Sequence, residues 1–189
     1  IILSGDTYDD AKNAALKFVQ KENKIFVSPF DHKLIIEGQG TVAAEILEQI
    51  GKKKIDYIFV PIGGGGLAAG VITYFKEFSP TTKIIGVEPQ GAPAMMESMK
   101  KNKVITLDKI DSFVDGAAVK QVGYHTLPIC KKGLEDILLV PEGKICTKIL
   151  QLYNNDAIVV EPAGVLSIAA LDFYKEQIKG KTVVCIVSG

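Results

Sequence analysis

Four consecutive glycines, Gly63 to Gly66, are the residues whose type and spacing most directly suggest chemistry. They follow an apolar run, Ile55-Asp56-Tyr57-Ile58-Phe59-Val60, that reads as a buried strand, and they precede Leu67 and a helical pattern. A backbone without Cβ atoms lets an anion approach closely. Successive N–H groups with a helix N-terminus behind them form a phosphate cradle. A tight turn that needs positive φ would use one glycine, and four exceed that need. No Gly-Lys-Ser/Thr follows, so the run is not a P-loop. Gly64-x-Gly66-x-x-Ala69 fits the relaxed dinucleotide fingerprint, and Glu88 ends the next strand near the distance of a ribose-binding acid. The run therefore implies a phosphate, and its owner, NAD or another cofactor, stays open at this point.

Few other residues point to a site. The 22 basic residues are all lysine, so an anion must be met by lysine, backbone N–H groups or a helix end rather than by a guanidinium fork. The 22 acidic residues balance them, which gives no long-range field for nucleic acid or anionic lipid. Cys130, Cys146 and Cys185 lack metal-ligand spacing and read as reduced thiols of a cytoplasmic protein. His32 and His125 stand too far apart to suggest a metal or a triad, and Met95, Met96 and Met99 read as packing residues. Lys52-Lys53-Lys54 reads as a solvated helix end. No apolar run approaches membrane-spanning length, and no signal peptide is expected.

The elements that must hold the glycine run alternate between strand and helix. A turn with a helix cap at Ser4-Gly5-Asp6 opens a helix through Ala11, Ala14, Ala15, Phe18 and Val19. Strands are expected at Lys24–Val27, Ile55–Val60, Lys83–Glu88, Asp136–Val140 and Lys181–Val187. Helices are expected from about Gly40 to Ile50, Leu67 to Phe78, Gly91 to Lys100, Tyr124 to Lys132, Glu142 to Asn154 and Pro162 to Ile178. The stretch from Asn102 to Val122 shows one short strand and a loop. Apolar strands alternating with helices predict a three-layer α/β/α fold with a mostly parallel sheet covered on both faces.

In that frame, Pro61-Ile62-Gly63-Gly64-Gly65-Gly66-Leu67 resembles the phosphate loop of the fold type II pyridoxal-phosphate enzymes, the threonine and serine dehydratases and their racemase relatives. Gly5-Asp6-Thr7-Tyr8, Gly38-Gln39-Gly40-Thr41, Gly86-Val87-Glu88-Pro89 and Glu161-Pro162-Ala163-Gly164 are similar to further family segments in the same order. The ending Val187-Ser188-Gly189 resembles the start of the family's Ser-Gly-Gly/Ala-Asn segment. With Phe113 to Val119, the set looks most like the biosynthetic threonine dehydratases of isoleucine synthesis. The resemblance implies that the backbone of Gly63, Gly64, Gly65, Gly66 and Leu67 holds the phosphate of pyridoxal 5'-phosphate. It implies that Ser188 hydrogen-bonds the pyridine nitrogen and that Glu161 lies near the ring. Glu161 as an acid at a helix start and Ser188 as a strand-end cap are the local alternatives. Glu88 resembles a divalent-cation ligand of the racemase branch, but Ala94 stands where a second carboxylate would be, so no metal site is expected.

The resemblance also implies an activity. L-Threonine would lose its α-proton and then its β-hydroxyl, giving 2-oxobutanoate and ammonia. The family's Schiff-base lysine lies in a Ser-Phe-Lys-x-Arg-Gly segment that this chain does not contain, so no catalytic residue is expected within it. Both ends read as cut, which suggests a fragment, and without that lysine the fragment is expected to be inactive on its own. Residues 1–37 are expected to be a remnant of the small cofactor domain and 38–189 the large domain. A cytoplasmic homo-oligomer, dimer or tetramer, acting on a small amino acid is expected. The serine dehydratase and racemase branch, an NAD-binding oxidoreductase domain and a non-enzymatic phosphate-binding fragment remain the alternatives.

Overall fold

The computed structural model describes residues 1–189. Its strands are β1 (Tyr57–Pro61), β2 (Lys83–Pro89), β3 (Asp136–Val140) and β4 (Val183–Cys185). Ile58 and Val60 of β1 enter one apolar core, whereas Phe59 between them enters a second. β2 repeats the division, with Ile84 on the first side and Ile85 and Val87 on the second. Strands that bury both faces belong at the centre of a layered fold. The order is accordingly β3-β2-β1-β4, with every pair parallel.

Eight α-helices complete the layers: α1 (Tyr8–Glu22), α2 (Lys33–Ile50), α3 (Gly66–Phe78), α4 (Ala94–Lys101), α5 (Thr126–Gly133), α6 (Glu142–Asp156), α7 (Leu166–Ala170) and α8 (Lys175–Ile178). Val71, Ile72 and Phe75 of α3 and Ala43 of α2 build the first core. Ile145 of α6 and Leu166, Ala169 and Ala170 of α7 build the second. The expected three-layer α/β/α architecture with a parallel sheet is what forms. α2 and α3 cross closely because both carry glycine there. A Cβ on Gly70 would lie 2.5 Å from the Ile36 carbonyl and 2.6 Å from the Gly40 nitrogen. No helix is long and apolar enough to cross a membrane.

Several elements differ from the sequence reading. Lys24–Val27 is not a strand: it has no ladder partner, and Ile25 and Val27 are 90% and 70% exposed. α2 begins seven residues before the expected Gly40, where the His32 ring accepts the Leu34 N–H at 3.3 Å. Its internal glycines weaken the local helix signal, and the close crossing with α3 offsets that weakness. α1 is capped by Thr7, one residue beyond the expected turn, through a reciprocal box with Asp10. The expected helix Pro162–Ile178 is broken into a turn, α7, a 3-10 turn at Leu171–Phe173 and α8. The break falls at Tyr174, whose ring packs edge-on against Tyr57 and Phe59. The edge strand β4 ends at Cys185 rather than Val187. Between Asn102 and Val122 an antiparallel bridge joins Thr106 and Gln121.

Candidate functional site

From β1 the chain crosses to β2 on one side, while β4 pairs with β1 on the other. In open parallel sheets this reversal leaves a crevice beyond the carboxyl ends of the strands. A cavity of about 430 Å³ opens there. Gly63, Gly64, Gly65, Gly66 and Leu67 line one rim, following β1, and Glu161 and Ser188 line the other. All seven residues singled out from the sequence therefore meet at one place.

The glycine rim has a front and a back. On the front, none of the N–H groups of Gly63 through Leu67 donates to a protein acceptor, although Gly64, Gly65 and Gly66 are buried. Buried backbone donors are nearly always paired, so a run of unpaired ones marks a place for an acceptor. They precede and open α3, whose positive dipole end adds to the attraction for an anion.

Along the cavity wall and behind the run, each glycine is in close contact. A Cβ on Gly63 would lie 3.0 Å from Ala117 Cα, one on Gly64 2.5 Å from the Phe30 ring and one on Gly66 2.8 Å from Phe30 Cβ. Gly65 alone in the run has positive φ, 94°, and its Cβ would meet Met95 Cε at 2.7 Å and Thr126 Oγ1 at 2.8 Å. Turn geometry explains one glycine, and packing explains all four. The Gly64 carbonyl accepts from Thr126 Oγ1 at 2.7 Å and from Gly123 N at 3.1 Å. Asp31 in turn holds the 123–126 segment by accepting from Tyr124 N and His125 N at 2.9 and 2.8 Å.

The opposite rim is polar and open. Asp115, Glu161 and Ser188 are exposed, and Glu161 N donates to the Gly189 carbonyl at 3.2 Å. Tyr8, Phe30 and Gln39 also line the cavity. The Tyr8 hydroxyl is buried without a partner, and burial followed by the nearby Asp9 charge pushes it up to about 12. Tyr8, Gln39 and Asp115 were not singled out as site residues. Each nonetheless sits in a segment whose likeness to the family could have flagged it. Thr126 and Asp31 left no sequence signal, because their roles arise from contacts across more than 60 residues.

Other candidates lie elsewhere. Glu88, the residue a dinucleotide reading would place on a ribose, is fully buried and does not line the cavity. Its carboxyl accepts from Met95 N at 2.6 Å and Met96 N at 2.9 Å, joining the end of β2 to the start of α4. Burial pushes it up to about 8 against the opposing pull of those two N–H groups. This placement removes the acid on which the NAD reading rested. His32 caps α2 and His125 lies 3.3 Å from Asp31. Cys130 and Cys185 are free thiols, and burial pushes both up, Cys185 to about 12. Met95 lies in the first core, and Lys52 to Lys54 are exposed beyond α2.

The chain is similar to known proteins over its whole length. The family model described as pyridoxal-phosphate dependent enzyme matches residues 1–189. The whole chain is 62% identical to the L-threonine dehydratase biosynthetic IlvA of Halalkalibacterium halodurans and covers 45% of that protein. It is 56% identical to the protein of the same name from Bacillus subtilis, covering 44% of it. The chain thus spans a little under half the length of these curated relatives. Among solved structures, the processed form of threonine deaminase isoform 2 from Solanum lycopersicum superposes with a TM-score of 0.91 at 39% identity, over 100% of this chain and 55% of that one. Maize serine racemase gives 0.90 at 31% identity, over 100% and 59%.

Proposed function

This chain belongs to the pyridoxal-phosphate dependent enzymes, and on that premise we propose that the protein carrying it is a biosynthetic-type L-threonine ammonia-lyase. The substrate is a small amino acid, and the products are 2-oxobutanoate and ammonia. The observation that carries the proposal is the row of unpartnered N–H groups at Gly63 to Leu67, three of them on buried glycines, in a run that lines one cavity together with Ser188. The 62% identity to a named L-threonine dehydratase supports the choice of substrate.

The residues present fit the cofactor. The backbone of Gly63, Gly64, Gly65, Gly66 and Leu67 binds its phosphate, and the N-terminus of α3 supplies the electrostatic attraction that an arginine would supply elsewhere. Bound there, pyridoxal 5'-phosphate supplies an electron sink for the substrate α-carbon. Ser188 would orient the ring by hydrogen-bonding the pyridine nitrogen. A neutral hydroxyl cannot hold that nitrogen protonated as a carboxylate would, which favours loss of a β-hydroxyl over a long-lived carbanion. Glu161 would stand beside the ring. The Tyr8 hydroxyl, buried at the cavity wall without an acceptor, is a further donor available to a polar ligand.

The proposal extends to a cytoplasmic homo-oligomer, dimer or tetramer. It also divides the chain into 1–37 from the small cofactor domain and 38–189 from the large one. All four strands fall in the second part, and position 37/38 lies within α2. Assay of the full-length protein with pyridoxal 5'-phosphate tests the activity. Release of 2-oxobutanoate from L-threonine, faster than of pyruvate from L-serine, is expected. Racemisation of serine without threonine turnover would move the protein to the racemase branch.

A further inference from the structure

We propose that Thr126 is a positioning residue for the anion cradle, acting through the carbonyl of Gly64. This rests on the reading of Gly63 to Leu67 as the phosphate site and goes beyond it to the group that aims it. Thr126 is fully buried at the start of α5 and does not line the cavity. Its hydroxyl has one proton. The Gly64 carbonyl lies at 2.7 Å and the Gly123 carbonyl at 3.3 Å, so the nearer oxygen takes it. The same hydroxyl oxygen accepts from Gly123 N at 3.1 Å, and that N–H is shared with the Gly64 carbonyl at 3.1 Å. Three polar groups thus close a small ring behind the glycine run.

The consequence for the front follows from peptide geometry. The peptide between Gly64 and Gly65 is planar and trans, so its C=O and N–H point in opposite directions. Turning the Gly64 carbonyl back toward Thr126 turns the Gly65 N–H away from it, into the cavity that both glycines line. Glycine at 64 and 65 has the widest choice of backbone conformation, so this orientation needs an external restraint. Thr126 supplies it, and its side chain also packs where a Gly65 Cβ would be. The segment is itself anchored by Asp31 through Tyr124 N and His125 N. An oriented donor costs nothing to reorganise when the anion arrives, which is the benefit of preorganisation.

The test uses the full-length protein and compares Thr126→Val, Thr126→Ser and the wild type. Affinities are measured for pyridoxal 5'-phosphate and for pyridoxal, which lacks the phosphate, with near-UV circular dichroism as the check on folding. The valine variant should bind pyridoxal 5'-phosphate about tenfold or more weaker, while pyridoxal binding changes by less than about twofold. The serine variant, which keeps the hydroxyl, should recover most of the loss. Should the valine variant not fold, Thr126→Ala, which adds no methyl group, replaces it in the same comparison. Equal loss for both ligands, or no loss for either, would overturn the positioning role. A wild type with no preference for pyridoxal 5'-phosphate over pyridoxal would instead overturn the phosphate reading of the glycine run itself.

Discussion

The two rims of the cavity are built differently. The rim at Gly63 to Leu67 has no side chains on its first four residues, is largely buried, is flanked by Phe30 at the cavity wall, and is braced from behind by Met95, Thr126 and Gly123. The rim at Asp115, Glu161 and Ser188 presents exposed polar side chains, and a backbone bond from Glu161 N to the Gly189 carbonyl joins two of its segments. A phosphate has the same shape and charge in every reaction, so a rigid backbone cradle suits it. Side chains on an open rim can be changed one at a time without disturbing the fold, which suits the part of a site that selects the chemistry.

Changes at the braced rim should therefore disturb fold and binding together. Gly65→Ala is expected to have the largest effect. It places a Cβ at φ 94° within 2.8 Å of both Met95 Cε and Thr126 Oγ1. Strain of about 1–3 kcal/mol should appear as a lower thermal midpoint, with weaker binding of pyridoxal 5'-phosphate. Unchanged stability and binding would show that the rim is not braced.

Glu88 extends the brace, since it fixes the Met95 backbone and the Met95 side chain backs Gly65. Its folded value of about 8 exceeds its ordinary 4.5, so the folded protein holds the proton more tightly than the unfolded chain. Stability from this group is complete below about 4.5 and declines as pH rises toward about 8. Denaturant titrations across that range should show the decline, and Glu88→Gln should flatten it. A slope that persists unchanged in the glutamine variant would assign it to another group.

The smallest structural effect is expected at the open rim. Ser188→Ala should change stability by less than about 0.5 kcal/mol, because the Ser188 side chain is exposed. Its effect should appear in the absorbance of the bound cofactor, whose ring nitrogen loses a partner. A large loss of stability would contradict the division between the rims.

The layered fold was legible because β1 and β2 are apolar on both faces and the helices between them carry periodic apolar residues. The front of the site was legible for a similar local reason, since four glycines between a strand and a helix leave a signal in consecutive residues. The start of α2 was not legible, because Gly38 and Gly40 oppose helix formation locally and the compensating contact with Gly70 lies 30 residues away. Lys24–Val27 has strand-forming residues but no strand to pair with. The back of the site was hidden for the same reason as α2. Thr126 and Asp31 act on segments 62 and 93 residues distant, and such pairings leave no periodicity to read.

The central claim is that the backbone of Gly63 to Leu67 holds the cofactor phosphate. A crystal structure of the full-length protein with pyridoxal 5'-phosphate tests it most directly. The prediction is phosphate oxygens about 3 Å from several backbone nitrogens of that run, with the Gly64 carbonyl still turned to Thr126. A phosphate bound elsewhere, with those N–H groups facing only solvent, would contradict it.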